Sequence, residues 1–461
     1  MIPLKAVPPS GVLSLLEKTF GKALTPIDTA LIPREERYYS IESAATAAGE
    51  CYGSTHYRAW LPLFAEHPDH RMLDARLGRP IANADAAVSP ETVGLLWKNS
   101  EGMAHLGMTQ SRLDRYKSCP FSYWCQYELG LSEEHKTEFA SNIIGSYVHL
   151  LLELFFKAIE EEKKDVHALT EEEILHYARE SAEKARRAFF PESAKESARV
   201  SYMLGKLDHL SELLIREMAD EFAQSGFSPL AEELEIGKGG GPERVSFALD
   251  NTEISFGGII DRVDAMEKDG KLYIRVVDYK TGVKDFKPDD IGEGKNLQIL
   301  LYLIALWKSR SEGFRRRIGF DGEIVPACVE YLAVGGKDVK SNTPVSKEES
   351  LALAKAQLTR TGMVLDDEEI LTAMDKERTG RFLPVKPDKN GSFAKHGENF
   401  FTLERMGELL DDVSRTVVEV GKELKAGVAR TTPAPFSVGS FSDSPCTYCP
   451  IKPVCRNVRE K

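Results

Sequence analysis

The stretch Gly257–Gly282, GGIIDRVDAMEKDGKLYIRVVDYKTG, decides how the rest of the chain is read. Asp269-Gly270 stands between runs rich in Val, Ile and Tyr, a strong signal for two strands joined by a two-residue turn. With those residues as the turn, Lys268 opposes Lys271, Asp264 opposes Arg275, and Asp261 lies across from Asp278. Opposed side chains share a face, with Cβ atoms roughly 4.5–5.5 Å apart. Two carboxylates that close repel unless a cation sits between them. A slip of one residue would send Asp261 and Asp278 to opposite faces and would break the Asp264–Arg275 pair.

Lys280 follows Asp278 by two and therefore shares its face. The rest of that face is apolar: Leu272, Ile274 and Val276 on one strand, Ile259, Val263 and Ala265 on the other. The polar trio thus ends a core-facing surface, where a metal site open to substrate belongs. Oxygen ligands suit Mg2+ or Mn2+, and Lys280 is placed to orient an attacking water or to stabilise charge developing on a phosphate. A single D-x-K more often marks a solvated surface pair; the aspartate in register on the partner strand lifts this one above that reading. Asp261 and Asp278-Tyr279-Lys280, within G-x-x-D-R-V-D and D-Y-K-T-G strings, resemble the active-site signature of the PD-(D/E)XK nucleases in their RecB-like branch. The resemblance implies an α/β fold with a mixed sheet built in the order α-β-β-β-α-β, carrying helical insertions and flanking helices.

At 461 residues, 42% hydrophobic and 29% charged, the chain reads as an ordinary globular protein of two or three domains. No apolar run approaches the ~20 residues of a membrane-spanning helix. The opening MIPLKAVPPSG lacks the basic-then-apolar pattern of a secretory signal, so a cytoplasmic protein with no membrane partner is expected. A net charge of −12 argues against a chain coated in nucleic acid but is compatible with a local basic channel. Basic residues gather at Lys308-Ser309-Arg310, at Arg315-Arg316-Arg317 and between Lys386 and Lys395. There is no G-x-x-x-x-G-K-[ST] loop, hence no sequence basis for ATP hydrolysis in this chain.

Residues 1–100 offer short helical patterns, such as Gly11 to Leu24, and an isolated Cys51. From Met108 the spacing predicts a helix capped by Ser111, then Cys119-Pro120 and the aromatic group Phe121, Tyr123 and Trp124. An amphipathic helix from Asn142 to Glu162 puts Gly145, His149 and Glu153 on one face. Its GSYVHLLLE resembles the G-x-x-x-H-x-x-L-E helix of RecB-like nucleases, which implies His149 as a metal ligand or active-site neighbour. Residues 165–225 read as scaffold helices with charged outer faces. The same resemblance implies that Glu233, with Glu235 as competitor, assists the metal. It also matches Gln298 and Tyr302, on an apolar helix from Asn296 to Ser309, to a Q-x-x-x-Y motif close to DNA. Glu243 to Leu249, Glu253 to Ala265 and Leu272 to Tyr279 are expected to form one antiparallel meander, followed by a strand from Ala327 to Val334 holding a core Cys328. Residues 345–430 read as mainly helical, interrupted by a loop from Leu383 to Asn399.

The tail SPCTYCPIKPVCRNVREK places Cys446, Cys449 and Cys455 in a C-x2-C-x5-C pattern. Thiols this close in a cytoplasmic protein suit a soft metal better than disulfides. Cys119 is the natural fourth ligand, with Cys125 as competitor, and the spacing fits zinc and iron–sulfur equally. The C-P-F string and the cysteine tail around a RecB-like core resemble the AddB family, which implies a 4Fe-4S cluster on Cys119, Cys446, Cys449 and Cys455. Such a staple would be structural, worth roughly 5 kcal/mol by loop-closure reasoning. The resemblance further implies residues 1–100 as a helical flank like the end of an AddB helicase-like region and residues 101–461 as the nuclease domain. AddB-type proteins are much longer, so the chain reads as the C-terminal part of one or as a shortened relative. The expected function is a Mg2+- or Mn2+-dependent DNA exonuclease acting on single-stranded ends or unwound duplex. It would degrade the strand ending 5′ in double-strand break resection, with an AddA-like helicase–nuclease as its partner. Alternatives are a stand-alone iron–sulfur nuclease of the CRISPR-adaptation type and a non-catalytic DNA-binding scaffold.

Overall fold

Asp269 and Gly270 both take positive φ, 52° and 70°, as a two-residue hairpin turn of the primed type requires. The strands they join pair antiparallel with Lys268 opposite Lys271, Asp264 opposite Arg275 and Arg262 opposite Val277. The register expected from the turn is the one adopted.

The computed structural model describes residues 87–100, 103–131, 141–190, 198–292, 294, 296–335, 346–388, 392–393, 397–431, 446, 449–451 and 455. The chain divides into two compact units, Met1–Ile81 and Ala82–Lys461. The expectations for Gly11 to Leu24 and Cys51, and part of the basic loop between Lys386 and Lys395, lie outside the described residues. In chain order, β1 (Lys98–Ser100) and β2 (Met103–Met108) lead into α1 (Gln110–Ser118). The long helices α2 (Ser141–Glu161), α3 (Glu171–Phe189) and α4 (Ala198–Gln224) precede β3 (Ser228–Glu235). Then come β4 (Val245–Leu249), β5 (Thr252–Phe256), β6 (Ile259–Lys268) and β7 (Lys271–Lys280). Helix α5 (Leu297–Trp307), β8 (Glu323–Ala333), β9 (Arg360–Leu365), β10 (Phe400–Phe401) and α6 (Leu403–Lys425) follow.

The main sheet has the order β10-β9-β8-β7-β6-β3. β6 pairs antiparallel with both β3 and β7, while β7 and β8 run parallel, joined through α5. Taken as α2-β3-β6-β7-α5-β8, this is the expected α-β-β-β-α-β plan. Both faces are covered, which is why β7 is buried without a break from Ile274 to Tyr279. Leu272, Ile274 and Val276 pack with α5 and α6. Val277 and Tyr279 face the helices α2, α3 and α4. Among the described residues no helix is long and apolar enough to cross a membrane.

Several expectations are corrected. The three-strand meander does not form: β4 and β5 belong to a second sheet of order β1-β2-β5-β4, in which β5 runs parallel to β2. The chain changes sheets at Gly257-Gly258, where a Cβ would lie 2.6 Å from Arg244 Nη1 and 3.0 Å from Tyr302 Cε1 respectively. Apolar residues stand on both sides of the step, Ile254 and Phe256 before it and Ile259 and Ile260 after it, so composition merges the two strands although the alternation changes phase there. Ile259, expected on the core face, stands just beyond the step and is 43% exposed. Thr109, not Ser111, caps α1, accepting from the Arg112 N–H at 3.4 Å. Arg360–Leu365, expected to be helical, is strand β9, antiparallel to β8.

The scaffold helices contribute more than cover. Helix α4 buries Glu217 and Glu221 completely against the face of β6 and β7 opposite the aspartate pair. Arg275 Nη1 lies 2.7 Å from Glu221, and its Nη2 lies 2.7 Å from Asp264. Arg262 Nε lies 3.1 Å from Asp264, and Arg360 reaches Glu217 and Glu221 at 3.2 Å each. Burial alone would push the Glu221 carboxyl up, but Arg275, Arg262 and Arg360 together hold it below the usual carboxylate range. Removing one member would leave an uncompensated buried charge, which is why such a network tolerates little change.

Candidate active site

The hairpin, β3 and α2 each deliver one part of the site. Asp261 on β6 accepts a hydrogen bond from the Tyr279 N–H at 2.7 Å, which ties its carboxylate to the D-Y-K strand. His149 on α2 has Nδ1 3.3 Å from Glu233 Oε1 and 3.5 Å from Asp261 Oδ1. Its ring stacks edge-on against Tyr279, with centroids 5.7 Å apart. The candidate ligand atoms of His149, Glu233 and Asp261 lie within 4.8 Å of one another. Asp278 lies beside this trio, fully buried and ion-paired with Lys280 through Oδ2.

Of the two candidate glutamates on β3, Glu233 is the one brought to the site; Glu235 is exposed, opposite Ile259. Glu233 takes a φ of 44°, left-handed backbone inside a strand. A non-glycine residue held there costs on the order of 1–3 kcal/mol and persists only where its surroundings enforce it.

The electrostatics show an excess of negative charge. Burial, and then the charge of Asp278, push Asp261 up to about 7. Burial works against a charged imidazole at His149, but the hydrogen bond to Glu233 and the charges of Asp261, Glu233 and Asp278 outweigh it and raise the pKa. Three carboxylates and one imidazole, with Lys280 paired to Asp278 beside them, form a set that a divalent cation satisfies. Carboxylate oxygens suit Mg2+ or Mn2+, and the nitrogen favours Mn2+.

Gln298 and Tyr302 on α5 join the site through the lysine. Lys280 Nζ lies 3.5 Å from Gln298 Oε1, and Gln298 Nε2 donates to Tyr302 Oη at 2.9 Å. Lys280 is thereby held between Asp278 and Gln298. Sequence reasoning did not single out Tyr331, which pairs with Asp278 across β7 and β8, or Lys284, whose Nζ donates to Tyr331 Oη at 3.1 Å. The signal available was the lysine four residues after Lys280 in KTGVK. Of the basic runs, Arg315 is engaged by the carbonyls of Ser309 and Gly322 and so belongs to the local fold.

The cysteines also gather. Cys119 precedes the short helix Pro120–Tyr123, and Ser122 Oγ lies 3.9 Å from Cys449 Sγ, so the tail returns to the C-P-F segment. Burial pushes the Cys119 thiol up, and Cys449 and Cys446 add to the rise. Cys125 is pushed up to about 11 by burial, then by Cys455, Cys119 and Cys449. Both candidates for the fourth ligand therefore stand in the same neighbourhood as the tail. Tyr123 and Trp124 are buried, as expected for core packing.

The sequence profile of the PD-(D/E)XK nuclease superfamily matches residues 107–456. Among curated proteins, the chain is similar to the B subunit of the ATP-dependent helicase/deoxyribonuclease of Clostridium acetobutylicum, 29% identical over 358 residues, covering 76% of this chain and 30% of that protein. The protein of the same name from Desulforudis audaxviator is 29% identical over 382 residues, covering 80% of this chain and 32% of its own length. That from Thermoanaerobacter sp. is 28% identical over 354 residues, covering 76% and 30%. The chain thus matches less than a third of the length of each of these relatives. The profile match begins within β2 and continues past the last cysteine, enclosing every element of the α-β-β-β-α-β core, and the chain belongs to the PD-(D/E)XK nuclease superfamily.

Proposed function

We propose that the chain is the metal-dependent deoxyribonuclease module of an AddAB-type helicase–nuclease, hydrolysing phosphodiesters of single-stranded or unwound DNA. The observation that carries the reading is the convergence of His149, Glu233 and Asp261 beside the fully buried Asp278 carboxylate, which is ion-paired with Lys280. Those four residues would hold Mg2+ or Mn2+. A bound divalent cation supplies Lewis acidity toward a phosphoryl oxygen and lowers the pKa of water. Lys280 donates its ammonium N–H to a phosphate oxygen as negative charge develops there. Gln298, itself hydrogen-bonded to Tyr302, offers that ammonium a second acceptor beside Asp278. His149 fixes the orientation of the Glu233 carboxylate through their hydrogen bond.

Cys119, Cys446, Cys449 and Cys455 would carry a 4Fe-4S cluster of structural role, with Cys125 as the competing ligand. A brown protein with a broad visible absorption band supports this; a colourless protein loaded with zinc contradicts it. An AddA-like partner would supply the motor, and double-strand break resection on the strand ending 5′ would be the setting. Residues 101–461 would form the nuclease domain and residues 1–100 a helical flank. The similarity to helicase/deoxyribonuclease B subunits favours this over a CRISPR-adaptation nuclease, and the complete acidic set with its lysine argues against a non-catalytic scaffold.

The test is digestion of single-stranded DNA labelled at either end, with Mg2+, with Mn2+ and with EDTA. Metal-dependent shortening is expected, and the two labels report polarity. Intact DNA in every condition contradicts the reading.

A further inference from the structure

We propose that Lys284, seated on Tyr331, forms a second phosphate-binding position beside Lys280 and holds the phosphodiester next to the one being cut. The proposal rests on the nuclease reading and deepens it. Asp278 on β7 pairs with Tyr331 on β8, and Tyr331 pairs with Thr361 on β9, so the three form a row across one face of the sheet that leads away from the acidic set. Lys284 lies over this row, its Nζ 3.1 Å from Tyr331 Oη and 4.2 Å from the ring centroid. Lys280 Nζ lies 5.7 Å from the same centroid. Both ammoniums therefore stand against the same ring, close enough to serve neighbouring phosphates of one strand.

The loop that carries Lys284 is fixed, not merely nearby. The Thr361 hydroxyl donates to the Lys284 carbonyl, anchoring the backbone to β9. The side chain is half-buried, although lysines ordinarily extend their charge into water. Among the described residues no carboxylate lies within ion-pair distance of Lys284. Burial and then the neighbouring Lys280 charge pull its pKa down, and Asp278 and Asp114 oppose this only at longer range. Asp114, on α1, is itself engaged by Gln110 Nε2 at 2.6 Å. Two like charges thus share one ring, and the half-buried one has no carboxylate within ion-pair distance among the described residues. A phosphodiester supplies the missing negative charge, and Lys284 retains N–H donors for it beyond the one given to Tyr331. Tyr331 is the positioning residue: it holds the ammonium in place without touching the substrate.

The first experiment measures binding of a fluorescein-labelled single-stranded oligonucleotide by anisotropy, in EDTA so that no cleavage occurs, over a series of KCl concentrations. Each phosphate contact contributes about 0.7 to the slope of log K against log salt on single strands. Lys284→Ala is expected to reduce the slope by about 0.7, Lys284→Arg to restore it, and Tyr331→Leu to act like Lys284→Ala. The second experiment replaces single linkages near the cut with neutral methylphosphonate and measures kcat/KM with Mg2+. Neutralising the neighbouring phosphate should cost the wild type about tenfold and cost Lys284→Ala nothing further, in line with loss of one charged contact. An unchanged slope in Lys284→Ala, or no methylphosphonate penalty in the wild type itself, overturns the subsite. Wild-type protein that neither binds nor cuts the strand overturns the nuclease reading with it.

Discussion

The two faces of the β6–β7 hairpin carry buried charge in opposite ways. On one face Arg262, Asp264 and Arg275 meet Glu221 of α4 and, through it, Arg360, so that Asp264 and Glu221 are each answered by guanidinium groups. On the other, Asp261 and Asp278 stand with Glu233 and His149, and Lys280, the ion-pair partner of Asp278, is shared with Gln298. The first arrangement is complete as folded. The second lacks positive charge, and Asp261 shows it by a pKa pushed up to about 7, through burial and then the charge of Asp278. Burial alone does not distinguish structure from site; whether the buried charge is balanced does.

That contrast can be broken by substitution. Asp278→Asn should reduce nuclease activity to background, ~10,000-fold or about 5.5 kcal/mol of transition-state stabilisation, while stability in EDTA stays level or rises. Unfolding in urea alongside the activity assay checks both halves. Glu221→Gln should do the reverse, costing about 3–5 kcal/mol of stability because three arginines lose their shared partner. Folded Glu221→Gln should still respond to metal; a variant as stable as the wild type would mean the network is not what holds this face.

The pH dependence sharpens the comparison. Asp261, raised from 3.8 to about 7, binds more protons folded than unfolded between those values. Stability in EDTA should therefore fall as pH rises from about 4 to about 7, by at most about 4 kcal/mol. His149, whose pKa is also raised, extends the decline above about 6.5. Asp261→Asn should flatten the lower window, and urea midpoints measured across it are the check. The smallest effect is expected at Glu233, where φ is 44°. Glu233→Gly should gain about 1 kcal/mol from relieved backbone strain yet raise the metal concentration needed for half-maximal activity. A loss of stability in EDTA would show that the strain is not there.

What the sequence disclosed followed local geometry. The Asp-Gly turn set the register, and the register put the two aspartates and Lys280 on one face, because a period of two leaves no freedom once the turn is placed. The contribution of Glu233 and His149 came through resemblance, since β3 and α2 are brought to the hairpin only by tertiary packing. The glycine step between β5 and β6 was hidden because apolar residues stand on both sides of Gly257-Gly258, and the change of phase in their alternation was the signal that could have shown it. The balanced network was hidden for another reason: Glu217, Glu221 and Arg360 lie far from the hairpin in sequence, and on a charged helix nothing local separates a buried glutamate from a solvated one. A partial clue was present. The register places Arg262 and Arg275 on one face with only Asp264 to answer them, so a further carboxylate was required from elsewhere.

The central claim is that the acidic face is unfinished without a divalent cation. Thermal unfolding of wild type and Asp261→Asn in EDTA and then in rising Mn2+ tests it most directly, because a ligand that binds only the folded state stabilises it in proportion to RT ln(1 + [L]/Kd). The account predicts a melting temperature that climbs with Mn2+ in the wild type and stays flat in Asp261→Asn. The same rise in both proteins, or none in either, would contradict it.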